Sequence, residues 1–178
     1  FTLAEGGTHT TGDDDLVRSG GGLWSSDTNL AVINCIFTSN NAAYRGGGIY
    51  RGTLSNCTLA FNQASYGGGG FGVTMATSTL FSNVASADGG GFSQGSLING
   101  FLRGNSSKSG LGGGGFNARL ENCLVNSNFA GWAGGGLHTG TATNCYFIGN
   151  RGGNGGGGCE QVDAWNCTIK ANLAPSVA

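Results

Sequence analysis

The groups able to do chemistry in this chain are six cysteines, two histidines and nine carboxylates. Five of the cysteines stand in Asn-Cys pairs, Asn34-Cys35, Asn56-Cys57, Asn122-Cys123, Asn144-Cys145 and Asn166-Cys167, and Cys159 stands apart. Thiols that recur at one position of a repeating fold can pair as disulfides, which suits an oxidising compartment. Left reduced, they make a column of small buried side chains. Neither His9 nor His138 lies at ligand spacing from them, so zinc is not indicated.

The carboxylates point away from catalysis. Glycoside hydrolysis needs two carboxyls facing one bond. Glu121, Glu160 and Asp163 fall on different faces or coils of the repeat described next, with no stacked pair among them. Asp13, Asp14 and Asp15 form the one acidic cluster, read as a solvated loop in preference to a calcium site. His9 and His138 lack an evident base or nucleophile partner and are read as surface residues. No catalytic residue, metal site or cofactor is expected, and the chain is read as a non-enzyme.

The elements that hold these residues repeat with a period of about 22. Asn34-Cys35-Ile36-Phe37 recurs as Asn56-Cys57-Thr58-Leu59, Asn122-Cys123-Leu124-Val125, Asn144-Cys145-Tyr146-Phe147 and Asn166-Cys167-Thr168-Ile169. Thr77-Ser78-Thr79-Leu80 and Asn99-Gly100-Phe101-Leu102 are degenerate copies. Each copy is followed by an asparagine, giving the column Asn40, Asn62, Asn83, Asn105, Asn128, Asn150 and Asn172, and then by a glycine run ending in an apolar residue. Helical solenoids need longer repeats, and these segments are short, rich in β-formers and punctuated by glycine, which supplies 38 of 178 residues. The fold expected is all-β: a right-handed parallel β-helix, or β-solenoid, of about eight coils in a single domain spanning 1–178. Residues 1–33 would form a divergent N-terminal coil, 34–172 the regular repeats and 173–178 a C-terminal tail.

Strand alternation then sends Cys57 and Leu59 inward and Asn56 and Thr58 outward, with the same parity in every copy. Three internal columns follow. One is Phe37, Leu59, Leu80, Leu102, Val125, Phe147 and Ile169. A second is Ile49, Phe71, Phe92, Phe116 and Leu137, and a third Val32, Leu54, Met75, Leu97 and Leu120, fading to Ala142 and Ala164. Adjacent coils bring equivalent cysteines within disulfide range. Cys35–Cys57 is the first candidate; Cys123, Cys145 and Cys167 stack as three, with Cys159 available to the odd member. The asparagines at the coil corner are expected to bond turn backbone and to form a ladder between coils. The sequons Asn56-Cys57-Thr58, Asn105-Ser106-Ser107 and Asn166-Cys167-Thr168 fall on repeat positions and are read as incidental.

Charge and composition limit the partners. Eight Lys and Arg against nine Asp and Glu, with no basic run, give no footprint for nucleic acid. There is no run of about 18 apolar residues for membrane insertion. The chain opens on Phe1, which points to a processed product or a fragment and to a lost secretion signal. The outward column Ile36, Thr58, Thr79, Phe101, Leu124, Tyr146 and Thr168 is no threonine array of the kind that binds ice. It is apolar for an exposed stripe, which predicts contact with another surface, foremost another copy of the chain.

Gly47-Gly48-Ile49 with Phe37-Thr38-Ser39-Asn40, and Gly135-Gly136-Leu137 with Phe147-Ile148-Gly149-Asn150, resemble the Gly-Gly-apolar and Phe-x-x-Asn repeats of polymorphic outer-membrane-protein autotransporter passengers. Several copies depart from that pattern by using Leu, Val or Ile for Phe. The resemblance implies a secreted, cell-surface or adhesive role and carries no catalytic residues. Open coil ends and the apolar stripe together predict an extracellular fibre of stacked or laterally joined copies. A monomeric adhesin or glycan-binding stalk is the alternative, with Trp24, Tyr44, Tyr66 and Trp132 as outward aromatics.

Overall fold

A computed structural model describes residues 1–13 and 16–175. Asp14 and Asp15 of the acidic cluster and residues 176–178 of the tail lie outside the described residues. Every regular element described is a strand, and every pairing is parallel. The chain is a β-solenoid of three sheets. Thr2–Ala4, Ile36–Thr38, Thr58–Ala60, Thr79–Phe81, Phe101–Arg103, Leu124–Asn126, Tyr146–Ile148 and Thr168–Lys170 stack in order as the first. Two-residue strands from Gln63–Ala64 to Arg151–Gly152 make a five-stranded second sheet. Ile49–Ser55, Gly70–Ala76, Phe92–Ile98, Gly115–Glu121, Leu137–Thr143 and Cys159–Trp165, preceded by Leu23–Trp24, make the third.

There are about seven turns, one fewer than the repeat count suggested. The N-terminal segment accounts for the difference. Thr2–Ala4 pairs directly with Ile36–Thr38, while Leu23–Trp24 and Ala31–Ile33 both lie along the one strand Ile49–Ser55.

The first internal column is as the alternation dictates for Phe37, Leu59, Leu80, Leu102, Val125 and Phe147, which are fully buried, while Ile169 on the last strand of that sheet is 48% exposed. Burying each such side chain contributes roughly 1.5–3 kcal/mol, which only a stack of coils can supply. The third column holds too, down to a buried Ala142.

The second column is corrected by the register. Ile49 pairs with Gly70, not Phe71; Gly70 with Phe92; Phe92 with Gly115; and Gly115 with Leu137. The runs Gly67–Gly70 and Gly112–Gly115 place their last glycine where runs of three place a large residue, whereas after the third run of four, Gly155–Gly158, Cys159 keeps that place opposite Leu137. Phe71 and Phe116 are thereby moved one place on, level with Tyr50, Ser93 and His138.

A compensating swap fills the space. The third residue of each long strand bends the chain through positive φ, as at Arg51 (61°), Gln94 (55°) and Thr139 (57°), so the fourth residue also faces inward. Large and small alternate between these two inner places: Ile49 with Gly52, Gly70 with Val73, Phe92 with Gly95, Gly115 with Ala118, Leu137 with Gly140. Gly70 has no room to spare, because a Cβ there would lie 3.1 Å from Val73 Cγ2 and 3.4 Å from Ile49 Cγ2. The glycine runs themselves mark close approach of coils. A Cβ on Gly113 would collide with the carbonyl oxygens of Phe129 and Gly135.

Candidate functional site

The asparagine column forms a continuous row, buried from Asn40 to Asn150 and half-buried at Asn172. Each Nδ2 donates to the Oδ1 of the next coil, with Asn40 to Asn62, Asn62 to Asn83, Asn83 to Asn105 and Asn105 to Asn128 all at 3.0 Å. Asn128 to Asn150 and Asn150 to Asn172 follow at 2.9 Å. The same Oδ1 accepts the backbone N–H of the asparagine before it, and the second Nδ2 proton goes to a strand carbonyl of the preceding coil, as from Asn105 to Leu80 O at 2.9 Å. From Asn40 to Asn150 both amide protons are thus used, as burial requires, while Asn172 at the end of the row donates to Phe147 O.

A second asparagine row runs along the exposed corner. Asn34, Asn56, Asn99, Asn122, Asn144 and Asn166 all have φ between 51° and 56° except Asn166, at 50°. That left-handed conformation is one asparagine tolerates. Their amides donate in the opposite sense, toward the N-terminus: Asn56 to Asn34 at 2.7 Å, Asn122 to Asn99 at 3.0 Å, Asn144 to Asn122 at 3.2 Å and Asn166 to Asn144 at 2.6 Å. Thr77 interrupts it. Of the three sequon asparagines, Asn105 is fully buried, and Asn56 and Asn166 are exposed members of this outer row.

The cysteines are all free thiols, so neither the Cys35–Cys57 bridge nor any among Cys123, Cys145, Cys159 and Cys167 is present. The thiols make hydrogen bonds instead. Each thiol of the Asn-Cys pairs reaches back over the left-handed asparagine to the carbonyl two residues earlier: Cys35 to Ile33, Cys57 to Ser55, Cys123 to Glu121, Cys145 to Thr143 and Cys167 to Trp165, at 3.2–3.3 Å. Cys145 Sγ in turn accepts the backbone N–H of Cys123 in the coil before, and Cys167 Sγ that of Cys145, both at 3.4 Å. Ser78 performs both tasks with its hydroxyl, bonding Ala76 O at 2.8 Å and accepting from Cys57 N at 3.1 Å. Burial raises the thiol pKa of Cys57, Cys159 and Cys167, and the hydrogen bond to Cys123 together with burial raises that of Cys145. These groups stay protonated at neutral pH.

His138 is not a surface residue: it is 6% exposed and lies in the column displaced by the extra glycines. Its ring stacks on Phe116 at 5.8 Å, and Thr139 Oγ1 sits 2.8 Å from its Nδ1. Burial lowers its pKa, against an opposing effect of Glu160 and Asp88. Among the described acids, Glu121 stacks on Thr143, Glu160 on His138 and Asp163 on Thr141. Of the four outward aromatics, Trp132 is 58% exposed, Trp24 stacks on Tyr50, and Tyr44 meets Tyr66 edge-on.

The outward stripe lies on the first sheet. Ile36, Phe101 and Tyr146 are exposed, with Thr168; Thr58, Thr79 and Leu124 are half-buried between them. The structure adds two residues beside it. Phe61 is 53% exposed and meets Phe81 edge-on at 5.2 Å. With Phe101 and Leu124 these rings border a shallow groove of about 750 Å³. Phe61 has φ 56°, at a place where the other coils carry Ser39, Ser82, Gly104, Ser127, Gly149 and Ala171. A bulky residue there is strained by about 1–3 kcal/mol.

Comparison with family models, with curated proteins and with solved structures returns no match to this chain.

Proposed function

We propose that this protein is an extracellular structural rod, of the kind the autotransporter-passenger resemblance suggests, that joins further copies of itself through the outer face of its first sheet. One observation carries the reading. Phe61 holds an exposed ring in a strained backbone conformation, bordering the same groove as the exposed Phe101 on the sheet face that also carries the exposed Tyr146. Strain retained at an exposed apolar side chain supports a role for that ring outside the fold, and a contiguous apolar stripe supports a macromolecular contact. Copies could pack sheet to sheet about 10 Å apart, as sandwich sheets do. No step of this reading requires catalysis.

Sedimentation velocity over a hundredfold concentration range, with negative-stain electron microscopy of the same samples, tests it. The native chain should associate with rising concentration into laterally joined rods, and Phe101→Ser with Tyr146→Ser should stay monomeric at an unchanged melting temperature. Single short rods of the native chain at every concentration would sink self-association and leave the monomeric adhesin.

A further inference from the structure

The stacked thiols stand in two runs, Cys35 with Cys57 and Cys123 with Cys145 and Cys167, parted by the coils that carry Ser78 and Gly100 in their place. All five hold one posture, each Sγ turned to the carbonyl two residues earlier at 3.2–3.3 Å. A posture repeated from coil to coil sets neighbouring sulfurs one coil apart, about 4.8 Å. That separation fits a linear two-coordinate ion. Two metal–thiolate bonds of about 2.3 Å each, the length seen with zinc, span about 4.6 Å end to end.

The gap between Cys145 and Cys167 is built to hold a cation between two thiolates. The backbone N–H of Cys123 reaches Cys145 Sγ and that of Cys145 reaches Cys167 Sγ, both at 3.4 Å, and donors aimed at sulfur favour its ionised form. Thr143 O lies 3.2 Å from Cys145 Sγ, and Ala142 O 3.5 Å from Cys167 Sγ. These oxygens take the S–H protons, and a cation that replaces the protons meets the same negative surroundings. Around Cys35 and Cys57 the arrangement recurs, with Ile33 O 3.3 Å from Cys35 Sγ and Val32 O 3.5 Å from Cys57 Sγ. Cys35 and Cys167 are half-buried, so each pair has one sulfur that solvent reaches. The ligand set selects the ion. Among the described residues no three His, Cys, Asp or Glu side chains gather to hold a metal, so the four ligands of a structural zinc site are not assembled. Two thiolates suit a soft ion content with two ligands.

We propose that Cys145 with Cys167, and Cys35 with Cys57, each bind one soft monovalent cation, Cu(I) or its analogue Ag(I), in linear two-sulfur coordination. Each ion displaces two thiol protons and leaves a bis-thiolate complex of charge −1, with no electron transferred. The sites lie inside the solenoid and do not depend on self-association through the first sheet.

Titration of the full reduced chain with Cu(I) under argon, in competition with the chromogenic chelator bathocuproine disulfonate, tests the proposal, with copper X-ray absorption as a second readout. The native chain should keep two ions against an equimolar amount of chelator, release two protons for each, and show two sulfur neighbours around the metal. Cys167→Ser and Cys57→Ser should each lose one ion and still fold, because Ser78 already makes both hydrogen bonds of the thiol in this row. Cys123→Ser and Cys159→Ser should keep both ions, and a tenfold excess of Zn(II) should displace neither. The proposal is overturned if the native chain gives up all its copper to the chelator, if the metal shows three or more sulfur neighbours, if Zn(II) displaces it, or if folded Cys167→Ser and Cys57→Ser keep two ions. Should a serine variant fail to fold, the stoichiometry and sulfur count of the native chain decide.

Discussion

Removing one amide from the buried row shows how much a single side chain can hold. Asn105→Ala deprives the Asn83 N–H and Nδ2 of their acceptor and Leu80 O and the Asn128 Oδ1 of a donor, all at buried positions. With each abandoned buried group costing about 1–3 kcal/mol, the loss should be about 3 kcal/mol or more, read from urea unfolding. His138 gives the pH dependence. Its folded pKa lies below the unfolded value of about 6.5, so the unfolded chain binds the proton first. Stability should be full above about pH 6.5 and fall as pH drops from there toward the folded pKa. His138→Phe, which keeps the stack, should flatten that part of the curve in denaturation midpoints measured between about pH 4 and 8. The inner asparagines were legible because their spacing is regular. The outer row was missed although the Asn-Cys pairs displayed it; the available signal was asparagine's tolerance of positive φ. The fate of the thiols was not legible, because sequence spacing reports adjacency of coils and not the carbonyl that each Sγ faces.

Within the strands, the decisive feature is the exchange of large and small between the first and fourth places. Gly70→Val should overpack the Ile49–Gly70–Phe92 column and cost about 1–3 kcal/mol. Adding Val73→Gly should recover part of that loss, and a double-mutant cycle in urea should give a coupling free energy of about 0.5–3 kcal/mol. The period of the chain made the columns of Leu59 and Leu54 readable, since their offset from the Asn-Cys pair never changes. Reading the glycine runs by their following apolar residue failed at Phe71 and Phe116. The backbone bend at Arg51 and its equivalents breaks the simple alternation, and run length alone does not carry the register there, since Gly155–Gly158 is also a run of four yet Cys159 pairs with Leu137.

For the whole rod, the strained Phe61 sets stability against association. Phe61→Asn, a residue at ease with positive φ, should leave stability unchanged or raise it by up to about 1 kcal/mol while weakening self-association. Matched chemical denaturation and sedimentation equilibrium would check this; a variant that associates as well as the native chain would remove Phe61 from the interface. The fold class and the stripe were visible in the repeat. The second use of Phe, at Phe61 and Phe81 beside the stripe, was not, because those residues lie outside the quoted repeat elements. The two asparagine rows have an electrical consequence. Their amides point opposite ways along the axis, the inner toward the C-terminus and the outer toward the N-terminus, so their dipoles oppose each other. Two rods meeting side by side therefore find little preference for heads together or heads apart in these rows. The order of rings and hydroxyls along the stripe is left to choose between parallel and antiparallel neighbours.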